Sequence, residues 1–334
     1  MQRKAKVSII DTTLRDGLQH EEHYLPLGSR LEIASRLIDA GITKIEVGSF
    51  AHPEYLPQFR EIHRFAMMLP RHEGVEYTFL ALNRRAVERV VDLKGKGAPI
   101  DRVLTGQLAT SVSYAVKNMN RTHEELFQEA GELVKMLHEG GVKRVCANVG
   151  TIFGCPIEGE MPLEKAYEFV DRLLDMGFDE IEHSDPDGAA SPDRVTEYCA
   201  EIMRRWPDPA RHVFHIHDIN GMGMACYCAA MEQGIRQFEC TLGGIGGQPA
   251  NRLDGVAVKG TGAYYFTQGR TGLVSTEDFA AMLGRMGYDT GIDTAGLICL
   301  GGYMEQLLGR KLDSFAVAAA GTGTGNEGSY GDAV

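Results

Sequence analysis

Val7-Ser8-Ile9-Ile10-Asp11-Thr12-Thr13-Leu14-Arg15-Asp16-Gly17-Leu18-Gln19 sets the pattern from which the fold is read. An apolar run of strand length closes on a cation, an anion and a glycine, and an amphipathic helix follows over about 29–40, stopped by Gly41. The same unit then recurs. Residues 44–50, 76–82, 102–109, 143–152, 180–185, 213–218 and 237–242 read as strands. Residues 54–68, 84–93, 123–138, 163–176, 192–205 and 222–233 read as the helices between them. Eight strand-then-helix units with one period predict an α/β chain closed into a (β/α)8 TIM barrel. A doubly wound sheet is the alternative, but it rarely runs to eight units without a break in composition.

The eighth unit differs. Residues 243–272 form a glycine-rich insertion after strand eight that carries Asn251, Arg252, Asp254, Lys259, Tyr264 and Tyr265. A loop of that length in a compact domain is usually functional or disordered. Ser275 or Thr276 caps the next helix, and a last helix spans about 294–308. We therefore expect one catalytic domain over 1–310, closed by this short helical extension. The Ala/Gly/Thr/Ser-rich remainder, 311–334, is expected to be a flexible tail, disordered from about Ala318.

The 334 residues allow two average domains or one barrel with insertions. Net charge is -12 without a basic run, which argues against nucleic acid as a partner. No apolar stretch reaches membrane-spanning length, so no membrane role is expected. Seven scattered cysteines suit reduced thiols and a cytoplasmic location. Cys226 and Cys228 fall in one helix two residues apart, where side chains do not face each other, and are read as packing.

In a barrel of this kind the chemistry sits at the C-terminal strand ends. The polar residues there are Arg15, Asp16, Glu46, Ser49, Asn83, Thr110, Ser111, Asn148, Asp185, His215 and His217. A single buried histidine is most often a hydrogen-bonded core residue. His215 and His217, however, share a strand face because side chains alternate, and Asp16 ends another strand. That set reads as a divalent-metal site, with Mg²⁺ or Mn²⁺ expected and Zn²⁺ or Co²⁺ as alternatives. On a strand, Arg15 and Asp16 would point to opposite sides, so Asp185 or Asp218 serve equally well as partners for Arg15. Glu46 is read as the residue that holds Arg15, Asp218 as a supporting or helix N-terminal carboxylate, and His183 as a further histidine whose face is open. A metal that polarises a carbonyl, beside an arginine that stabilises an enolate, suits aldol or Claisen chemistry.

Several motifs resemble the metal-dependent TIM-barrel lyases and synthases, the DRE-TIM metallolyases, and most nearly the hydroxymethylglutaryl-CoA lyase branch. Asp11-Thr12-Thr13-Leu14-Arg15-Asp16-Gly17 resembles the synthase and aldolase opening, and Gly17-Leu18-Gln19 with Glu21 the lyase form. Glu46-Val47-Gly48-Ser49-Phe50, Lys117-Asn118-Met119-Asn120, Gly154-Cys155-Pro156-Ile157-Glu158-Gly159 and His215-Ile216-His217-Asp218 continue the likeness in order. The resemblance implies that Asp16, His215 and His217 bind metal, that Arg15 stabilises the enolate with support from Glu46, and that Asp185 lies near the reacting hydroxyl. Two positions depart from it. The lyase cysteine of a Gly-Gly-Cys-Pro loop is Gln248 here, which cannot exchange protons as a thiol does. The metal-binding asparagine is Leu273, which leaves the fourth ligand missing, taken from the insertion (Asn251), or replaced by water.

His20 is taken as the acid–base candidate, with His23 beside it and Tyr264 and Tyr265 as a lid or substrate wall. The expected activity is a divalent-metal-dependent carbon–carbon lyase, cleaving a 3-hydroxyacyl-CoA or related hydroxy acid. The alternatives are an acetyl-CoA-dependent condensing synthase, a 4-hydroxy-2-oxo acid aldolase, and a non-catalytic metabolite-binding barrel. The expected partner is a small molecule, an acyl-CoA or a hydroxy or oxo acid, bound by a homo-oligomer.

Overall fold

A computed structural model describes residues 6–19, 21, 23–54, 56–155, 157–247, 250–253, 256–259 and 271–321. Eight parallel strands close into a barrel: β1 (Ser8–Asp11), β2 (Lys44–Ser49), β3 (Glu76–Leu80), β4 (Arg102–Ala109), β5 (Arg144–Gly150), β6 (Glu180–Asp185), β7 (His212–Ile216) and β8 (Gln237–Cys240). Each pairs with its neighbours in sequence, and β1 closes the ring onto β8 with Asp11 opposite Cys240. Around it lie α1 (Leu27–Asp39), α2 (Ile62–Met68), α3 (Arg84–Gly95), α4 (His123–Glu139), α5 (Leu163–Asp175), α6 (Pro192–Arg205), α7 (Gly223–Glu232) and α8 (Thr276–Arg285). The barrel expected from the eightfold repeat is the one found.

The main core lies between strands and helices. Phe214, Tyr227, Phe238 and Phe279 form one cluster there, with Tyr227 and Phe238 centroids 4.9 Å apart. His183 belongs to this outer layer and not to the mouth. Its Nε2 meets His212 Nδ1 at 3.0 Å and its Nδ1 meets the Tyr198 hydroxyl at 2.8 Å. The barrel lumen, by contrast, is charged. Arg102 on β4 reaches Glu180 on β6 at 2.6 Å and Glu239 on β8 at 3.8 Å, bonds that can only cross the interior. Such lumens are more often filled by branched aliphatic residues.

The structure differs from the sequence reading at several places. β1 ends at Asp11, because its carboxylate takes the Thr13 N–H and Thr13 Oγ1 takes the Leu242 N–H, turning the chain into a single π-helical turn, Thr13–Gly17. α2 begins at Ile62 and not near residue 54, since Pro57 opens a separate 3₁₀ turn and biases Leu56 to extended backbone. Inside the insertion, Ala250–Leu253 pairs antiparallel with Val256–Lys259. After α8, α9 (Thr294–Leu308) leads to α10 (Phe315–Gly321), so the first part of the segment expected to be a tail is helical. Leu312 and Val317 there are buried, and Asp278 accepts from the Phe315 and Ala316 N–H groups. No described helix is long and apolar enough to cross a membrane.

Candidate metal centre and active-site cavity

The π-helical turn brings Arg15 and Asp16 to the mouth of the barrel, 6% and 3% exposed. A turn of this kind abolishes strand alternation, so the two residues touch instead of diverging: Arg15 Nη1 lies 2.7 Å from Asp16 Oδ1. Arg15 Nε lies 2.8 Å from Glu46 Oε2. Glu46 is therefore the carboxylate placed against Arg15, and neither Asp185 nor Asp218 is. Burial would suppress the charge of Arg15, but Glu46 and Asp16 outweigh it and hold the guanidinium protonated. Burial, with Glu239 and Glu182 nearby, raises Glu46 above the usual carboxylate range against the pull of Arg15.

β7 delivers the two histidines. His215 is its fourth residue, and His217 lies just past its end, its backbone bridged to Leu273. The shared face predicted from their spacing is realised, with the two Nε2 atoms 3.1 Å apart. His217 Nδ1 sits 2.6 Å from the Thr271 carbonyl oxygen. A carbonyl only accepts, so the proton of His217 stays on Nδ1 and Nε2 presents a lone pair. His215 Nδ1 lies 2.7 Å from Glu239 Oε2. Burial lowers the His217 pKa, which keeps the ring neutral. Burial pushes Asp16 up, but the Arg15 guanidinium outweighs it and keeps the carboxylate ionised.

One oxygen and two imidazole nitrogens, from Asp16, His215 and His217, thus lie within 4.8 Å of one another. Asp16 Oδ2 is buried without a hydrogen-bond partner among the described residues. An orphaned carboxylate oxygen beside facing imidazole lone pairs is a donor set that fits a divalent cation. Each ligand is also braced from behind, Asp16 by Gln19 Nε2 at 2.8 Å, His215 by Glu239, and His217 by Thr271. Leu273 is fully buried and offers no side-chain donor to the fourth position.

Arg15, Asp16, Gln19, His215 and His217 wall a cavity of about 450 Å³. Ser49, Asn83 and Asn148 from the expected list also line it. Asn83 further caps α3, its Oδ1 accepting from the Ala86 N–H at 3.0 Å. Thr151 holds a left-handed backbone (φ 53°), unusual for a β-branched residue, and is pinned by Thr110 Oγ1 on its carbonyl at 2.7 Å. Asp185 is absent from the described wall. Its Oδ2 accepts from the Ala190 N–H at 2.7 Å, and it is Glu182 and Ser184, one residue to either side of His183, that line the cavity. Asp218 accepts from the Gly223 N–H at 2.7 Å at the start of α7. Asp11 fastens Thr13 and Thr276, which makes the Asp-Thr-Thr segment a barrel clasp. Cys226 and Cys228 are unpaired thiols. His23 is exposed and away from the cavity. His20, Gln248, Tyr264 and Tyr265 lie outside the described residues, as does the Asn251 side chain.

Glu182 and Glu239 were not singled out in the sequence. For Glu239 the signal was present: it stands between Phe238 and Cys240 in a buried strand, the criterion that selected Glu46, whereas Glu182 lies in a strand that is mostly polar.

A closed barrel with a buried Arg–Asp turn facing a His-x-His strand end defines a (β/α)8-barrel enzyme of the carbon–carbon lyase class. The chain belongs to the HMGL-like family, whose model matches residues 6–301. It is 31% identical to the (R)-citramalyl-CoA lyase of Chloroflexus aurantiacus, with 92% of each chain covered. It is 29% identical to the hydroxymethylglutaryl-CoA lyase of Pseudomonas mevalonii, over 94% of this chain and 97% of that one. Among solved structures, an HMG-CoA lyase from Acinetobacter baumannii in complex with coenzyme A and 3-methylmalate superposes with a TM-score of 0.83. That pair is 28% identical and covers 97% of this chain and 98% of the other.

Proposed function

We propose that this chain is a divalent-metal-dependent lyase that cleaves the C2–C3 bond of a 3-hydroxyacyl-CoA thioester. The observation that carries the reading is the convergence of Asp16, His215 and His217 with Arg15 on one cavity wall. A divalent ion held by those three ligands supplies Lewis-acid polarisation of the substrate oxygens. Arg15, fixed by Glu46, presents a permanent cation where the thioester oxygen takes up enolate charge. The 3-hydroxyl loses its proton, C2–C3 breaks to leave a ketone or aldehyde, and the enolate is protonated at C2. His20 is the proposed acid–base group, and Gln248 replaces a thiol in the loop that would face substrate; both enter this reading from the sequence alone.

The citramalyl- and hydroxymethylglutaryl-CoA lyases among its relatives support a CoA thioester as the substrate class. The test is release of a new carbonyl product and an acyl-CoA from a panel of 3-hydroxyacyl-CoA thioesters. We expect activity lost on chelation and restored by Mg²⁺ or Mn²⁺, and a fall of at least about 10³-fold in kcat for Asp16→Asn or His215→Ala. Unchanged turnover and metal content in either variant would refute the mechanism.

A further inference from the structure

Gln19 braces Asp16, and the segment that carries Gln19 is itself held from outside. Gln19 Nε2 donates to Asp16 Oδ1 at 2.8 Å and to the Gly247 carbonyl oxygen at 3.1 Å, which uses both N–H bonds of that amide. The Glu21 N–H donates to the Leu18 carbonyl at 3.2 Å and closes the short stretch containing Gln19. Residues 21 and 23–26, which lead on to α1, belong to no helix or strand. Their backbone carbonyls therefore need partners from elsewhere in the fold.

Two buried side chains from different elements supply them. Gln58, in the 3₁₀ turn that Pro57 opens, donates from Nε2 to the Glu21 carbonyl at 2.5 Å and to the His23 carbonyl at 3.0 Å. Arg30, on α1, donates from Nε to the Leu25 carbonyl at 3.0 Å and from Nη2 to Gln58 Oε1 at 3.1 Å. A guanidinium only donates, so Oε1 of Gln58 faces Arg30 and its Nε2 faces the loop. Arg30 is set in turn by the Tyr24 ring, 5.0 Å away, and the Phe59 ring, 5.8 Å away. The carbonyls of residues 21, 23 and 25 are thus held by one Arg–Gln pair. Only a side chain that accepts at one end and donates twice at the other can join them.

We propose that Gln58, oriented by Arg30, is a positioning residue for the metal centre: by fixing the Glu21 and His23 carbonyls it keeps Gln19 against Asp16 and so sets the affinity for the divalent ion. The inference rests on the metal-binding reading of Asp16, His215 and His217, and not on the reaction or the substrate.

The experiment is a Mn²⁺ titration of the full chain by calorimetry, which needs no turnover. Gln58→Glu keeps the shape and gives Arg30 an ion pair, but it removes both donors to the loop. It is expected to weaken Mn²⁺ binding about tenfold while circular dichroism remains that of the parent. Gln58→Ala removes the donors without adding a charge and should do the same. Gln19→Ala breaks the bond to Asp16 directly and should cost at least as much. The two glutamines act in one line of contacts, so Gln19→Ala combined with Gln58→Glu should bind Mn²⁺ no more weakly than Gln19→Ala alone. The visible spectrum of bound Co²⁺, which follows ligand geometry, should shift alike in Gln58→Glu and Gln19→Ala. Affinity within about twofold of the parent in both Gln58 variants, or losses that multiply in the double variant, overturns the inference. Loss of the parent's circular dichroism in both Gln58 variants also overturns it, since Gln58 would then serve the fold and not the site. A parent that binds no Mn²⁺ overturns the metal-binding reading as well.

Discussion

At the scale of single residues, the centre depends as much on the groups behind the ligands as on the ligands. Glu239 is fully buried and lies 2.7 Å from His215 Nδ1, so it orients the ring. Replacing such a partner typically costs about 10–100-fold in metal affinity, and we expect that loss for Glu239→Gln in a Mn²⁺ titration followed by calorimetry. An affinity within error of the parent would mean that His215 is oriented by something else. The sequence offered Glu239 on the same terms as Glu46, as a charge in an apolar strand. What it did not offer was the partner, because β7 and β8 set that contact through their register.

At the scale of the element, the turn after β8 shapes the floor of the metal site. Gly246 has φ of +128°, and a Cβ placed on it would stand 2.6 Å from Asp16 Oδ2. Gly246→Ala should therefore displace the Asp16 carboxylate and abolish tight divalent binding, seen as loss of metal-induced thermal stabilisation. A Cβ added at Gly284, inside α8, would meet nothing within 4 Å, which makes that glycine the matched control. There alanine should stabilise by about 0.5–1 kcal/mol in urea unfolding and leave metal binding intact. The same scale explains why Arg15 and Asp16 depart from the strand pattern. Alternation predicts divergence, but Asp11 and Thr13 use their side chains to end β1, and a π-helical turn packs the two residues together. Local side-chain bonds of this kind are set by distant partners such as Leu242 and Thr276, which a window of sequence does not contain.

At the scale of the whole molecule, several carboxyls are buried at an electrostatic cost. Desolvation raises Asp11 to about 6, Glu277 to about 7 and Asp187 to about 8. Each has a folded pKa above its unfolded value, so the folded state binds more protons between about pH 4 and 8, and stability falls as pH rises through that window. Glu277 moves from 4.5 to about 7, worth about 3 kcal/mol. Urea unfolding at pH 5, 6, 7 and 8 should show a decline for the parent that is shallower by about that amount in Glu277→Gln. A decline of equal slope in both would show that Glu277 titrates alike in the folded and unfolded chain. Two of these carboxyls illustrate the design of the barrel: Glu277 accepts the Gly243 N–H, and Asp11 accepts from Thr276, so both fasten α8 to the strand ends beneath it.

The sequence by itself determined the eightfold strand–helix repeat, hence the barrel, and with it the end at which Asp16, Arg15, Glu46, His215 and His217 would gather. Periodicity is enough for this, because apolar spacing dictates which face of each element is buried, and parallel closure brings all C-terminal strand ends to one mouth. Only the tertiary structure decided which polar groups meet. It put Glu46 and Asp16 on Arg15, Glu239 behind His215, and Asn148 on Glu182, and it turned His183 and Asp185 away from the described cavity wall. Such pairings depend on register, on side-chain bonds across tens or hundreds of residues, and on burial that shifts each group's charge. None of these is a property of any one stretch of chain.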